Sequence, residues 1–201
     1  MRAPGILSRP VYSGLIPDPH AKHNLILAEG EGAEAVLDMA KSAPQGFFSR
    51  ATILFTPGGS PGRALEDKLN ALKPQAFWML PTTATAMFRL KGVLTTATMG
   101  MRLYVTGTEP FIGDAVQASM EAGIDFRSVR SEHRGSAKRR VQCVHCKGFT
   151  DDVTVSPVVC AHCGLSLFVR DHFSRRLGAF QGVCIDAEVP GEVPAAEELY
   201  K

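Results

Sequence analysis

Apolar residues fall in short runs, separated by stretches whose apolar positions recur every three to four residues. The runs NLILA (24–28), ATILFT (51–56), QAFWML (75–80), MRLYVT (101–106) and IDFRSV (124–129) do not alternate in and out, which is how strands covered on both faces read. Between them lie GEGAEAVLDMAKSA, with Ala33, Val36, Leu37 and Ala40 on one helical face, and the helical stretches RALEDKLNAL (63–72), TATAMFRLKGVL (83–94) and EPFIGDAVQASMEAG (109–123), the last stopping at Gly123. Strand, helix, strand, repeated, predicts parallel strands joined by right-handed crossovers. The expected fold is α/β: a doubly wound, five-stranded parallel sheet over residues 24–132, followed by a small zinc-ribbon domain. In such a sheet the ligand crevice lies past the carboxyl ends of the strands, here at the loops AEGEGAE (28–34) and TGTEP (106–110). Thr108 or Glu109 is placed to cap the fourth helix, with Pro110 in its first turn.

Outside the periodic region the pattern changes character. Residues 1–23 are broken by Pro10, Pro17 and Pro19 and read as an arm with little structure of its own. Residues 133–142 read as a solvated basic linker, carrying His133, Arg134, Lys138, Arg139 and Arg140; a docking patch for an acidic partner is the sharper alternative. Residues 184–201 form an acidic tail, with AEVPGEVPAAEELYK expected to be extended.

The stretch CVHCKGFTDDVTVSPVVCAHCG (143–164) holds four of the five cysteines, as two C-x-x-C pairs: Cys143 with Cys146 and Cys160 with Cys163. Each pair sits on a tight turn that points both sulfurs the same way, and Val153, Val155, Val158 and Val159 suggest short strands between the pairs. Four cysteines with no open position describe a structural zinc site. A ribbon of this size has too small a core to fold alone, so the metal would supply folding energy on the order of 10 kcal/mol. A mononuclear iron of the rubredoxin type uses the same two knuckles and stays open as the alternative. A two-iron Rieske centre would need a histidine where Cys163 stands. His145 and His162 read as turn residues, and Cys184 as an incidental thiol.

LFVRDHFSRRLGAFQGV (167–183) follows at once and gathers Arg170, Asp171, His172, Arg175 and Arg176 around Phe173. A short helix capped by Asp171 or Ser174, with Leu177 and Phe180 turned inward, is the expectation. Its guanidinium forks and aromatic ring suit a partner-docking element, with a plain charged helix as the alternative.

Bulk composition narrows the function. The chain has 201 residues, 45% hydrophobic and 21% charged, with net charge +2. That balance fits a globular protein, and with no interleaved aromatics it argues against a nucleic-acid ribbon. No apolar run reaches 18 residues, so no membrane span is expected, and no signal peptide is visible. The expected location is cytoplasmic, where paired cysteines read as metal ligands rather than disulfides.

Two resemblances follow from these motifs. LILAEGEGAEAVLDMA resembles the opening of the pyridine-nucleotide half of ferredoxin reductases: an apolar strand, A-G-G-x-G-x-T-P, then a helix. RLYVTGTEPFIGDAVQASMEAGIDFRSVRSE resembles the end of that half, with C-G-P-x-P-M after the strand and a late acidic residue near Glu132. Gly30 and Gly32 match glycines of the first motif and Gly107 and Pro110 match the second, so these glycines are the candidate NAD(P)H contacts. The Thr-Pro of the first motif is absent and the cysteine of the second is Thr106; with 23 residues before the first strand, no preceding flavin barrel is expected. The double C-x-x-C followed directly by VRDHFSRRLGAFQGV resembles the DmmA-like subunits of bacterial dimethylamine monooxygenase. That resemblance implies an accessory subunit, without a catalytic residue of its own, of an NAD(P)H- and O2-dependent complex that converts dimethylamine to methylamine and formaldehyde. It also implies partner subunits that carry the haem and the flavin and iron–sulfur cluster. The alternative is an NAD(P)H-binding or iron-carrying electron-transfer component of the same kind of oxygenase.

Overall fold

Four of the five apolar runs supply strands, a fifth strand starts at the end of the last run, and all five strands are parallel. In the computed structural model, which describes residues 9–58 and 62–201, they are β1 (His23–Glu29), β2 (Ala51–Thr56), β3 (Ala76–Met79), β4 (Met101–Gly107) and β5 (Val129–His133). Their order is β3-β2-β1-β4-β5, so the direction of winding reverses between β1 and β4. Four helices connect them: α1 (Gly32–Ala40), α2 (Gly62–Asn70), α3 (Thr83–Leu94) and α4 (Glu109–Glu121).

Alternation along the strands splits the core in two. Ile26, Ala28, Ile53, Phe55 and Tyr104 meet Ala33, Val36 and Met39 of α1 and Leu69 of α2. Leu25, Leu27, Leu54, Leu103 and Val105 meet Ala86 and Leu90 of α3 and Phe111, Ala115 and Ala118 of α4 on the other face. Both faces of β1, β2 and β4 are therefore dry, which explains why their sequences show no polar alternation. Each fully buried Leu, Ile or Phe contributes about 1.5–3 kcal/mol against its exposed state.

One strand is displaced from its expected place. Residues 124–129 do not form β5. Asp125 accepts the Arg127 N–H and turns Phe126–Ser128 into a single 3-10 turn, so the strand begins only at Val129 and runs on to His133. Of residues 133–142, only 134–138 lie between strands.

The arm has no helix or strand between residues 9 and 22, yet it is fixed to the sheet. Leu15 joins the core beside Ile26 and Tyr104, the Asp18 N–H donates to the Tyr104 hydroxyl at 2.8 Å, and both Nε and a terminal nitrogen of Arg102 donate to one Asp18 oxygen. The arm thus adds Leu15 to the α1-side core and Tyr12 to the edge of the other.

Residues 12–135 make up this unit; residues 136–201, together with residues 9–11, make up a second. The second contains β6 (Arg139–Cys143), β7 (Phe149–Val153), β8 (Val155–Ser156), β9 (Val158–Val159), β10 (Ser166–Ser174), β11 (Ala179–Cys184) and β12 (Glu197–Glu198). Five of these form a sheet of order β7-β6-β11-β10-β9, and β12 pairs antiparallel with β8. The helix expected within 167–183 is absent: that segment is the β10–β11 hairpin. Leu167 and Val169 are buried while Phe168 and Arg170 are exposed, a period of two that outweighs the capping signals of Asp171 and Ser174. The acidic tail ends beside β8, with the Leu199 and Tyr200 N–H groups donating to the Thr154 carbonyl. Among the described residues no helix is long and apolar enough to cross a membrane.

Candidate metal centre and the crevice above the parallel sheet

The two C-x-x-C segments fold into the same turn. In the first, Cys143 N–H donates to Gly148 O and Lys147 N–H to Cys143 O; in the second, Cys160 N–H donates to Leu165 O and Gly164 N–H to Cys160 O. The fifth residue of each turn is left-handed, Gly164 at φ 74° and Lys147 at φ 64°. Glycine adopts that conformation freely, whereas lysine must be held in it.

The paired turns bring the four thiols together. Cys143 and Cys163 sulfurs are 3.8 Å apart, Cys146 and Cys160 sulfurs 3.7 Å, and all four lie within 4.8 Å of one another. Such separations suit four thiolates around one tetrahedral ion. Cys143 and Cys160 are buried, and Cys146 and Cys163 half-buried. Gly148 N–H reaches the Cys146 sulfur at 3.4 Å. A Cβ on Gly148 would stand 2.4 Å from the His162 ring, so only glycine lets the turns meet. His162 is spent on the Phe149 carbonyl at 2.9 Å and His145 is exposed; neither joins the sulfur cluster.

Without a cation these thiols divide into unlike acids. Burial works against the Cys160 thiolate, but the N–H groups of Cys163 and His162 and the adjacent thiols outweigh it and lower its pKa to about 6. The Leu165 N–H favours the Cys163 thiolate, but burial and the three neighbouring thiols push it up to about 12. Four sulfurs this close cannot all ionise unless a positive ion compensates them. Cys184 stands outside the cluster and donates to Asp186 at 3.1 Å.

The segment after the turns divides its charged residues between structure and surface. Asp171 accepts from Arg139 at 2.6 Å, and Phe173 meets Phe180 edge-on at 5.1 Å. Arg170, His172, Arg175 and Arg176 are exposed. Arg139 was read in the sequence as part of a solvated linker, but it is only 5% exposed and lies over the rings of Phe180 and Tyr200. No sequence signal linked residues so far apart.

The three candidate glycines lie at the carboxyl end of the parallel sheet. Gly30 has φ 50° and donates its N–H to Thr56 O. A Cβ on Gly32 would lie 2.6 Å from the Thr106 carbonyl oxygen, so Gly32 lets α1 start directly against β4. A Cβ on Gly107 would lie 2.8 Å from the Glu29 Cβ. Glu29, which ends β1, was not singled out in the sequence. One of its oxygens accepts both the N–H of Thr108, at 3.1 Å, and its hydroxyl, at 2.7 Å; the other accepts the Thr83 hydroxyl at 3.1 Å. Thr108 is the N-cap of α4, as expected, but its hydroxyl serves Glu29 rather than its own helix. Glu132, the late acidic residue, accepts the Leu15 N–H and pairs with Arg134. Tyr12 donates to Glu109 and stacks on His133; burial first, then the Glu109 charge, pushes its phenol pKa up.

The chain is similar to several known proteins. A curated protein of Ectopseudomonas mendocina (strain ymp), the "Heme-dependent oxidative N-demethylase delta subunit", is 34% identical over 110 residues, covering 55% of this chain and 63% of that protein. The chain thus spans under two thirds of the length of that relative. Among solved structures, the ferredoxin reductase in carbazole 1,9a-dioxygenase (FAD apo form) aligns at TM-score 0.41 with 11% identity, over 58% of this chain and 34% of that one. A flavohemoglobin from Malassezia yamatoensis aligns at 0.40 with 14% identity, over 59% and 33%. The family model for the dimethylamine monooxygenase subunit DmmA-like N-terminal domain matches residues 4–129, and the model for its C-terminal domain matches residues 140–183. With both models matched in order along one polypeptide, the chain belongs to the DmmA-like family of dimethylamine monooxygenase subunits.

Proposed function

We propose that this chain is a non-catalytic accessory subunit of a multisubunit oxygenase that demethylates dimethylamine. In that reaction NAD(P)H and O2 convert dimethylamine to methylamine and formaldehyde, the second oxygen atom leaving as water. The haem would sit on one partner subunit and the flavin and iron–sulfur cluster on a reductase subunit. The relative named as the delta subunit of a haem-dependent oxidative N-demethylase supports membership of such a complex. The observation that carries the accessory role is the closed sulfur quartet: four thiolates fill a tetrahedral ion's coordination and leave no position for substrate. The residues fit a structural zinc ion, which would hold the two turns together and do no chemistry. A cytoplasmic location, where the thiols stay reduced, belongs to the same proposal.

The β10–β11 hairpin is the proposed docking element. Arg170, His172, Arg175 and Arg176 are exposed on it; the three arginines offer cationic heads and His172 a hydrogen-bonding ring to an acidic surface. Asp171 and Phe173 hold the hairpin in shape through Arg139 and Phe180. Co-expression of the Arg175→Ala, Arg176→Ala double variant with the partner subunits tests this. Loss of co-purification and of dimethylamine turnover, with the variant still folded and metal-loaded, is the expected result. Full co-purification and turnover would remove the docking role. An iron-carrying version is separated by metal analysis and colour, since ferric iron on four thiolates is red and zinc is colourless.

A further inference from the structure

A doubly wound sheet presents the N-termini of its helices at the carboxyl ends of its strands, where the pyrophosphate of a dinucleotide is received by backbone N–H groups. Here a carboxylate of the protein already stands against two of those helix starts. Glu29 leaves the end of β1 at the winding reversal and reaches two helix starts at once, Thr108 at the N-cap of α4 and Thr83 at the first residue of α3. Those groups, two hydroxyls and one backbone N–H, are the donor types a phosphate oxygen would use, and the positive ends of both helix dipoles favour an anion beside them.

The walls around Glu29 are built to its shape. A Cβ on Gly107 would come within 2.8 Å of the Glu29 Cβ and 3.0 Å of one of its carboxylate oxygens, and a Cβ on Gly58 would come within 3.0 Å of its Cγ. Thr56, the register neighbour of Glu29 across β2, is fully buried on the same face of the sheet, and its hydroxyl has no hydrogen-bond partner among the described residues. The second approach to the crevice is also taken, since the Leu15 N–H lies on Glu132 and the Tyr12 phenol on Glu109. A dinucleotide's phosphates would therefore compete with the Glu29 carboxylate for the same donors.

We infer that Glu29 is an internal stand-in for a nucleotide phosphate, seated in the anion cradle of α3 and α4, and that it closes the crevice of this chain to pyridine nucleotides. The inference is independent of which amine is demethylated and of which partner docks on the hairpin.

Calorimetric titration of the full chain with NADPH and with inorganic pyrophosphate tests it, using wild type, Glu29→Gln and Glu29→Ala. Wild type is expected to show no saturable binding of either probe in the micromolar range. Glu29→Ala, which empties the cradle, is expected to take pyrophosphate about tenfold tighter than wild type or better. Glu29→Gln keeps an acceptor for Thr108 without the charge and is expected to lie between the two. Micromolar NADPH binding by wild type overturns the inference, as does a folded pair of variants that hold pyrophosphate no better than wild type. The wild-type arm remains decisive even if a variant fails to fold. Failure here leaves metal content and co-purification unchanged, so it is distinguishable from failure of the proposed function.

Discussion

The Arg139 guanidinium carbon lies 4.0 Å from the centroid of the Tyr200 ring, joining positions sixty-one residues apart (200 − 139 = 61). Phe180 closes the other contact at 3.8 Å, and Asp171 takes one terminal nitrogen at 2.6 Å. A desolvated cation between two rings and a carboxylate makes this a strong joint of the small β unit.

Arg139→Ala removes all three interactions and leaves Asp171 without its partner. It should cost about 3 kcal/mol in the stability of the metal-loaded unit, read by thermal melting. Tyr200→Ala removes one ring only and should cost about 1 kcal/mol. Equal losses for the two would mean that neither the Asp171 pair nor the Phe180 contact contributes.

Metal removal gives the second prediction. The chain should carry one metal ion, and a strong chelator should abolish the fold of residues 136–201 while the parallel sheet persists, as followed by amide exchange across the two units. Cys163→Ser should lower metal content steeply. Cys184→Ser should not, because that thiol bonds Asp186 and lies outside the quartet. Since thiolates bind the metal and thiols do not, affinity should fall as pH is lowered, whereas an oxidised disulfide pair would bind no metal at any pH.

Asp18 supplies a pH prediction for the other unit. The backbone N–H of His20, then the Arg102 guanidinium, hold its carboxyl below the ordinary 3.8. A depressed carboxylate stabilises the fold above its unfolded pKa, and that contribution disappears as pH falls through the folded value. Asp18→Asn should therefore cost about 1–3 kcal/mol at neutral pH, and the gap from wild type should close only in acid below about 3.8. Denaturant melts at neutral pH and in strong acid would measure it.

Gly32→Ala is expected to cost about 1–3 kcal/mol, because the new methyl would meet the Thr106 carbonyl oxygen and force α1 away from β4. The same change at Gly92, whose Cβ would meet nothing within 4 Å, should be neutral or stabilising. Chemical denaturation of the pair provides its own control.

The sequence showed clearly where local periodicity and burial agree. α3 spans Thr83–Leu94 and β2 spans Ala51–Thr56, as their patterns indicate, because both carry an uninterrupted apolar face into a dry core. The sulfur quartet was legible because two C-x-x-C turns have one common geometric outcome. Three features were hidden. The Asp125 turn delays β5 by a local side-chain hydrogen bond that hydrophobicity does not report. The β10–β11 hairpin was masked by charged residues whose spacing fits a helix as well as a strand; only the buried alternation of Leu167 and Val169 decides. Glu29 was not singled out, because its partners Thr83 and Thr108 lie 54 and 79 residues away.

The proline-broken arm changes what counts as the first folding unit. Leu15 fills part of the core, Asp18 is clamped by Arg102, and the Tyr104 hydroxyl finds its donor in the Asp18 backbone. A fragment trimmed to begin at the first strand would bare an aliphatic and aromatic surface and strand a buried phenol oxygen. Such a fragment should clump on expression, although every helix and strand of the sheet would still be encoded in it.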